Sequence, residues 1–210
     1  MNRNFNNTRT SSAIVNEILK KGRIVEAEEE EEDKEETETS TETKAKGEPE
    51  LYKLSDKVVQ ILTDRIKDEY YAHYLYRTAA NWCQDMNYKK ASAFFHEDAH
   101  KELEHAETIQ KYLADFNIVI KMPQSETSFE FDSLLDIIYQ AYDFELELMK
   151  SYNKDSQDVF QEDLTTFDFL QQFREIQRES VVEFNDFING ANLVDKNDKF
   201  QILYFEQTYF

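Results

Sequence analysis

Apolar residues recur at three- and four-residue steps along four long stretches of this chain, between Ser55 and Gly190. That spacing places them on one face of an α-helix. The 210 residues include only 3 glycines and 2 prolines, far fewer than the many turns of a β-sandwich or β-barrel need. Aromatic residues make up 14% of the chain and supply apolar mass for a core, although 32% of the residues are charged. The sequence therefore predicts an all-α fold.

The same spacing predicts where the helices lie. The expected boundaries are Ser55 to about Gln84, about Tyr88 to Phe116, about Phe131 to Gln157, about Leu164 to Asn189, and a short apolar segment from Phe200 to Phe210. Ser55 is a suitable N-cap, and Gly190 is a suitable helix stop. Short links make the first two helices antiparallel, and likewise the next two, while residues 117–131 form one long connection. We expect an antiparallel four-helix bundle with one long crossover and a short fifth C-terminal helix.

Residues 1–50 differ in composition from the rest of the chain. Residues 26–50 hold thirteen acids and three lysines, which is half of the formal net charge of -20, and Glu28 to Asp33 is an unbroken acidic run. Because so few apolar residues cannot form a core, we predict a disordered, acidic, low-complexity tail over residues 1–50 and a helical domain over residues 51–210. The basic residues 1–25 leave a second interpretation open, in which the tail is a docking or targeting segment.

Charge, hydropathy and cysteine content exclude several classes of function. A net charge of -20 argues against binding nucleic acid through its phosphates. No apolar run approaches the roughly 18 residues of a membrane span, so we expect no membrane partner. The single cysteine, Cys83, fits a reducing compartment such as the cytoplasm, with an organelle or a viral particle as open alternatives.

Each predicted helix carries polar residues near the middle of its apolar face: Glu69 in the first, Glu102 and His105 in the second, Glu145 in the third and Gln177 in the fourth. Burying several carboxylates together is unfavourable unless a positive charge neutralises them. Lys101 and Arg174 lie at the edges of these faces and could pair with one carboxylate, but not with three. Glu102 and His105 project from one helical turn toward one point. Carboxylates with one imidazole therefore predict a site for a redox-active divalent metal such as iron.

These residues lie within motifs that resemble those of the non-haem ferritins. The stretch DEYYAHYLY, residues 68–76, resembles the family's first helix, in which a tyrosine follows the metal-binding glutamate by seven residues. The stretch HKELEHAE, residues 100–107, resembles the second-helix motif with its bridging glutamate and terminal histidine. Glu145 falls where the third helix supplies its glutamate, and TFDFLQ, residues 166–171, followed by Gln177 resembles the fourth helix. The resemblance covers residues 51–210, and the acidic N-terminal extension lies outside it.

The resemblance implies a fold, a reaction and a set of residue roles. The fold is the ferritin-like bundle, and the reaction is the oxidation of ferrous iron by oxygen at a di-iron centre within each subunit. Glu69, Glu102 and His105 would hold the first of two irons per subunit, and Glu102 would bridge to the second, which Glu145 also holds. Tyr76 and Gln177 would be catalytic residues that lie behind the ligands or orient oxygen. Ferric mineral would then be stored inside a homo-oligomeric cage, commonly of twenty-four subunits.

The sequence departs from the family pattern at two points. One affects the second metal site, and the other affects the path that iron takes toward the cavity. The fourth helix carries Ser180 and lacks the second Glu-x-x-His motif of symmetric di-iron proteins. The missing carboxylate weakens the second site, as in ferritins that oxidise iron and release it. Lys101 stands where many ferritins carry a glutamate beside the bridging one, and a lysine there weakens transit of iron toward the cavity.

Other functions fit the sequence less well. A di-metal oxidoreductase or peroxidase needs a second Glu-x-x-His motif or an electron-transfer domain, and a DNA-protecting mini-ferritin uses first-helix histidines in another spacing. The alternative that stays open is a structural or cargo protein, docked into a compartment or virion through its N-terminal tail. Deleting residues 1–50 distinguishes it, because iron storage would survive the deletion whereas incorporation into the assembly would fail.

Overall fold

The structure, a computed structural model, describes residues 51–210, so the tail predicted over residues 1–50 lies outside the described residues. Five helices follow one another along the chain: α1 (Asp56–Asp85), α2 (Lys89–Asp115), α3 (Leu134–Phe160), α4 (Leu164–Ala191) and α5 (Lys199–Tyr209). The prediction of an all-α four-helix bundle with a short fifth helix is confirmed. Among these five helices, none is both long and apolar enough to cross a membrane.

Short polar side chains begin four of the five helices. At each of these N-caps a side-chain oxygen accepts a backbone N–H of the first helical turn: Ser55, Ser133, Asp163 and Asp198. Because Ser133 accepts from the N–H of Asp136 at 3.0 Å, α3 begins at Leu134 rather than near Phe131. Asn87 and Asn117 follow α1 and α2 with φ angles of 64° and 59°, in the left-handed region common after helix ends. Asparagine thus takes the place of glycine in this glycine-poor chain.

The four long helices form two antiparallel pairs. Residues 86–88 join α1 to α2 and residues 161–163 join α3 to α4, so the members of each pair pack along one another. Residues 116–133 carry the chain from the end of α2 to the start of α3. α1 also packs against α3, and α5 contacts both α2 and α4. The long helices therefore enclose one interior, with α5 attached at its side.

The apolar interior is divided into two clusters. One cluster is centred on Tyr76, Phe95 and Phe184, and the other contains Tyr152 and Phe173. Every long helix contributes to both clusters, and in each helix a buried polar residue separates the two contributions: Glu69 in α1, Glu102 in α2, Glu145 in α3 and Gln177 in α4. A polar layer therefore crosses the bundle between two apolar ones.

Gly190 does not end α4, contrary to the sequence prediction. The helix continues to Ala191, and its C-cap is Asn192. A Cβ atom at position 190 would overlap the aromatic ring of Tyr209, which lies against the helix at this point. The glycine therefore permits a close approach of α5 to α4 and is not needed for a left-handed helix end.

A buried carboxylate fastens α5 to the bundle. Glu206 is fully buried, and its Oε1 accepts the backbone N–H groups of Lys90 at 2.7 Å and Ala91 at 3.2 Å. Both groups belong to the first turn of α2, whose own N-cap residue, Tyr88, makes no side-chain hydrogen bond. The C-terminal segment thus packs on the bundle and also caps α2.

Candidate metal centre

The six residues predicted for the site come together where the two apolar clusters part. They reach the polar layer from all four long helices: Glu69 and Tyr76 from α1, Glu102 and His105 from α2, Glu145 from α3, and Gln177 from α4. Five of them are buried, and His105 is partly exposed. Each position continues the inward face of its helix, which is why the apolar spacing located it.

One half of the layer contains Glu69, Glu102 and His105. One ligand atom from each residue lies within 4.8 Å of the others. The Nδ1 atom of His105 is 2.9 Å from Oε2 of Glu102 and 3.5 Å from Oε2 of Glu69. Oε2 of Glu69 is buried and has no hydrogen-bond partner among the described residues. An unpaired anionic oxygen beside a second carboxylate and an imidazole is a suitable place for a divalent cation.

The other half of the layer is built around Glu145, which is 1% exposed. The hydroxyl of Tyr76 donates a hydrogen bond to its Oε1, and Nε2 of Gln177 donates to its Oε2 at 2.8 Å. Both oxygens of this carboxylate are therefore occupied, in contrast to Glu69. Tyr76 and Gln177 contact Glu145 directly, so any effect on a bound metal would pass through that carboxylate.

Burial changes the proton affinity of the centre. It raises the pKa of Glu145 to about 8, although the hydrogen bond from Tyr76 opposes the change. It also raises the pKa of Glu102 well above its ordinary value, against the effect of the His105 hydrogen bond. Burial alone would lower the pKa of His105, but the hydrogen bond with Glu102 and the negative charges of Glu102 and Glu69 outweigh it and raise that pKa to about 10. The metal-free centre therefore holds protons near neutral pH, and a bound cation must displace them.

Among the described residues, the imidazole of His105 is the basic group that contacts these carboxylates, and no other basic side chain neutralises them. Within residues 51–210, no lysine or arginine forms an ion pair with Glu69, Glu102 or Glu145. Lys101 instead pairs with Asp98 at 2.8 Å, and the guanidinium of Arg174 lies 4.6 Å from the ring centre of Phe167. The two cations that the sequence placed at the edges of the inward faces are thus engaged elsewhere.

A groove between α2 and α4 leads from the surface to the polar layer. Its volume is about 1010 Å³, and at its inner end it reaches Glu102, His105 and Glu145. Asp98 and Glu183 line its walls together with Lys101, which is paired with Asp98, so a cation that enters would pass both acidic and basic side chains before it meets the buried carboxylates. Ser180 lines the same groove, and so a small hydroxyl stands where α4 could have offered a further carboxylate.

Sequence reasoning missed the partner of Glu69. The hydroxyl of Tyr152 in α3 donates a hydrogen bond to Oε1 of Glu69. Tyr152 was not among the residues predicted for the site. The available signal was its position seven residues after Glu145, the same separation that links Glu69 and Tyr76.

The chain is similar to known proteins in sequence and in fold. The sequence model of the ferritin-like domain family matches residues 59–194 of this chain. The bacterial non-heme ferritin of Campylobacter jejuni is 29% identical over 146 residues, which cover 69% of this chain and 87% of that protein. The bacterial non-heme ferritin of Staphylococcus aureus is 26% identical over 158 residues, 72% of this chain and 92% of that protein. Among solved structures, the open pore ferritin of Archaeoglobus fulgidus has the same fold, with a TM-score of 0.66 and 24% identity over 75% of this chain and 98% of that one.

Proposed function

Because the chain belongs to the ferritin-like family, we propose that it is an iron-storage ferritin subunit that oxidises ferrous iron with oxygen in the polar layer of its bundle. One observation carries the proposal. The buried Oε2 of Glu69 lacks a hydrogen-bond partner within residues 51–210, and it lies with ligand atoms of Glu102 and His105 in a cluster no wider than 4.8 Å. A buried charged oxygen without a partner is costly, and a divalent cation is the partner that this geometry lacks.

The chemistry of the donor atoms suits iron. Carboxylate oxygens and one imidazole bind divalent iron, whereas structural zinc sites favour thiolates. The one cysteine of the chain, Cys83, belongs to the apolar cluster of Tyr76 and is not among these donors. Iron is the substrate here: two ferrous ions per subunit supply electrons, and oxygen accepts them.

Different residues of the polar layer bind the two iron ions. Glu69, Glu102 and His105 bind the first iron, and Glu102 extends to the second, which Glu145 also binds. Tyr76 and Gln177 hold the two oxygens of Glu145 and so set the direction in which that carboxylate points. The groove between α2 and α4 supplies the path for ions. Residues 51–210 form the bundle domain of a homo-oligomeric cage of twenty-four subunits, in which ferric iron is stored as mineral.

Oxygen uptake after addition of ferrous iron tests the proposal. Glu102 is the proposed ligand of both ions, so Glu102→Ala should slow oxidation by more than about 100-fold, beyond the loss typical for residues that only support ligands. Glu104→Ala is the matched control, because Glu104 lies in the same helix but is exposed. Fast uptake in the parent and in this control, lost in Glu102→Ala, supports the ferroxidase. Equally slow uptake in all three proteins would overturn it.

The alternative of a docked structural protein rests on residues 1–50, which lie outside the described residues. No contact of residues 51–210 favours it. Measuring iron storage by the chain without residues 1–50 separates the two functions, since a storage bundle retains its activity when the tail is removed.

A further inference from the structure

Two glutamate–tyrosine pairs cross between α1 and α3 in a reciprocal arrangement. Glu69 of α1 accepts a hydrogen bond from Tyr152 of α3, and Glu145 of α3 accepts one from Tyr76 of α1. On each helix the tyrosine follows the glutamate by seven residues, two helical turns away on the same face. Because the two helices run in opposite directions, each tyrosine meets the glutamate of the other helix.

The carboxylates of Glu69 and Glu145 differ in how many of their oxygens accept a hydrogen bond. Glu145 accepts a second hydrogen bond from Gln177, so both of its oxygens are paired. Glu69 accepts its hydrogen bond from Tyr152 at Oε1, and in the part of the chain that the structure describes its Oε2 has no hydrogen-bond partner. That free oxygen is the one nearest His105, at 3.5 Å from Nδ1. The hydroxyl of Tyr152 therefore determines which oxygen of Glu69 faces the proposed metal position.

Tyr152 is itself held rigidly. Its side chain is completely buried, and its ring stacks on Phe173 with a centroid distance of 5.4 Å and an interplanar angle of 4°. The guanidinium of Arg65, on α1, lies 5.7 Å from the ring centre of Tyr152. Arg65 is in turn paired with Asp68 at 3.0 Å and with Asp155 at 3.4 Å, one turn beyond Tyr152 in α3. A mostly buried pair of opposite charges thus packs beside the ring whose hydroxyl contacts Glu69.

We infer that Tyr152 is a positioning residue that keeps Glu69 a one-oxygen metal ligand, with Oε1 held by the hydroxyl and Oε2 presented to the metal. Arg65 and Asp155 support this role by restraining the ring. The inference rests on the proposed metal function of the layer. It concerns only how Glu69 binds the metal, so the role of Tyr152 can be wrong while the proposed metal function stands.

The test is the binding of cobalt(II) to the chelator-treated full chain. Cobalt(II) replaces ferrous iron without being oxidised in the assay, and its visible spectrum reports its coordination. Tyr152→Phe keeps the ring and removes the hydroxyl. With Oε1 released, Glu69 can bind through both oxygens or turn away, so we expect 10- to 100-fold weaker binding and an altered visible spectrum. The control is Tyr112→Phe, which removes a hydroxyl bonded to Thr166 at 3.0 Å in the same bundle. It should leave affinity and spectrum unchanged.

The outcomes separate the two claims. If the parent binds cobalt in a way that depends on Glu102, and Tyr152→Phe binds it with the same affinity and spectrum, the role of Tyr152 is wrong and the metal centre stands. If the parent shows no binding that depends on Glu102, the proposed function fails, and this inference fails with it. Should Tyr152→Phe not fold by circular dichroism, the charge-neutral double variant Arg65→Gln, Asp155→Asn decides. A spectrum and affinity equal to the parent's in that variant would overturn the positioning role.

Discussion

Replacing Glu145 with glutamine should remove part of the pH dependence of folding in the metal-free chain. The carboxyl group is fully buried and its pKa is about 8 in the folded chain, against 4.5 for an ordinary glutamate. Between these two values the folded chain keeps a proton that the unfolded chain releases. The stability that this proton contributes is therefore complete below pH 4.5 and is lost as the pH rises through 8.

The size of the effect follows from the number of protons. One proton held only by the folded state changes the free energy of unfolding by about 1.4 kcal/mol per pH unit. Glu102 and His105 have the same sign, since their pKa values are also raised in the folded chain. The parent should therefore lose stability with rising pH at least this steeply. The amide of Glu145→Gln cannot ionise and still offers an oxygen to Tyr76, so its slope should be shallower by about 1.4 kcal/mol per pH unit between roughly pH 5 and 8.

Urea unfolding of the chelator-treated chain, followed by helical circular dichroism at a fixed protein concentration, measures these slopes. Glu147→Gln is the matched control, because Glu147 lies in the same helix with an exposed side chain paired to Lys150 at 2.6 Å. The control should retain the slope of the parent. If Glu145→Gln and the parent show equal slopes, Glu145 is ionised in the folded chain and the electrostatic reasoning for the centre is refuted.

Two further variants test how α5 is attached. Glu206→Ala removes the oxygen that accepts the N–H groups at the start of α2, and we expect about 2 kcal/mol of destabilisation in urea unfolding; a midpoint equal to the parent's would mean that the cap contributes nothing. Gly190→Ala places a Cβ against the ring of Tyr209 and should cost about 1–3 kcal/mol. Thermal melts should show most of that cost relieved in the double variant with Tyr209→Ala, and strictly additive effects would contradict the contact.

The helices could be predicted because their apolar spacing is a local property of the sequence. Ser55 and the short links at residues 86–88 and 161–163 are equally local, so the start of α1 and the pairing of the helices were predicted correctly. Gly190 was misread because the reason for a glycine there is the ring of Tyr209, which is nineteen residues away in the chain. A close approach between two helices leaves no periodic signal in either one.

The site was predictable to the extent that its residues violate the apolar pattern. Glu69 and Glu145 are conspicuous because a carboxylate on an inward face needs a reason to be buried. Tyr152 gives no such signal, since a tyrosine at a core position resembles any other aromatic residue until its hydroxyl is seen on Glu69. Glu206 was overlooked for a different reason. Its partners are backbone groups of another helix, and nothing in the sequence around it identifies them.

The charge balance of the layer bears on whether iron would stay or pass through. α4 offers Gln177 and Ser180 to this region, an amide and a hydroxyl. The buried carboxylates of the polar layer are therefore those of Glu69, Glu102 and Glu145, since the buried carboxylate of Asp98 in the groove is paired with Lys101. Three carboxylates and a neutral imidazole carry three negative charges. That is one more than a single divalent ion needs for neutrality and one fewer than two divalent ions need. Within residues 51–210, the first ion also meets an oxygen without a hydrogen-bond partner, whereas both oxygens of Glu145 at the second position already accept hydrogen bonds. We therefore expect tight binding of one ion and weak binding of the other. Weak binding of the second ion is typical of a substrate that leaves the site, and not of a resident cofactor.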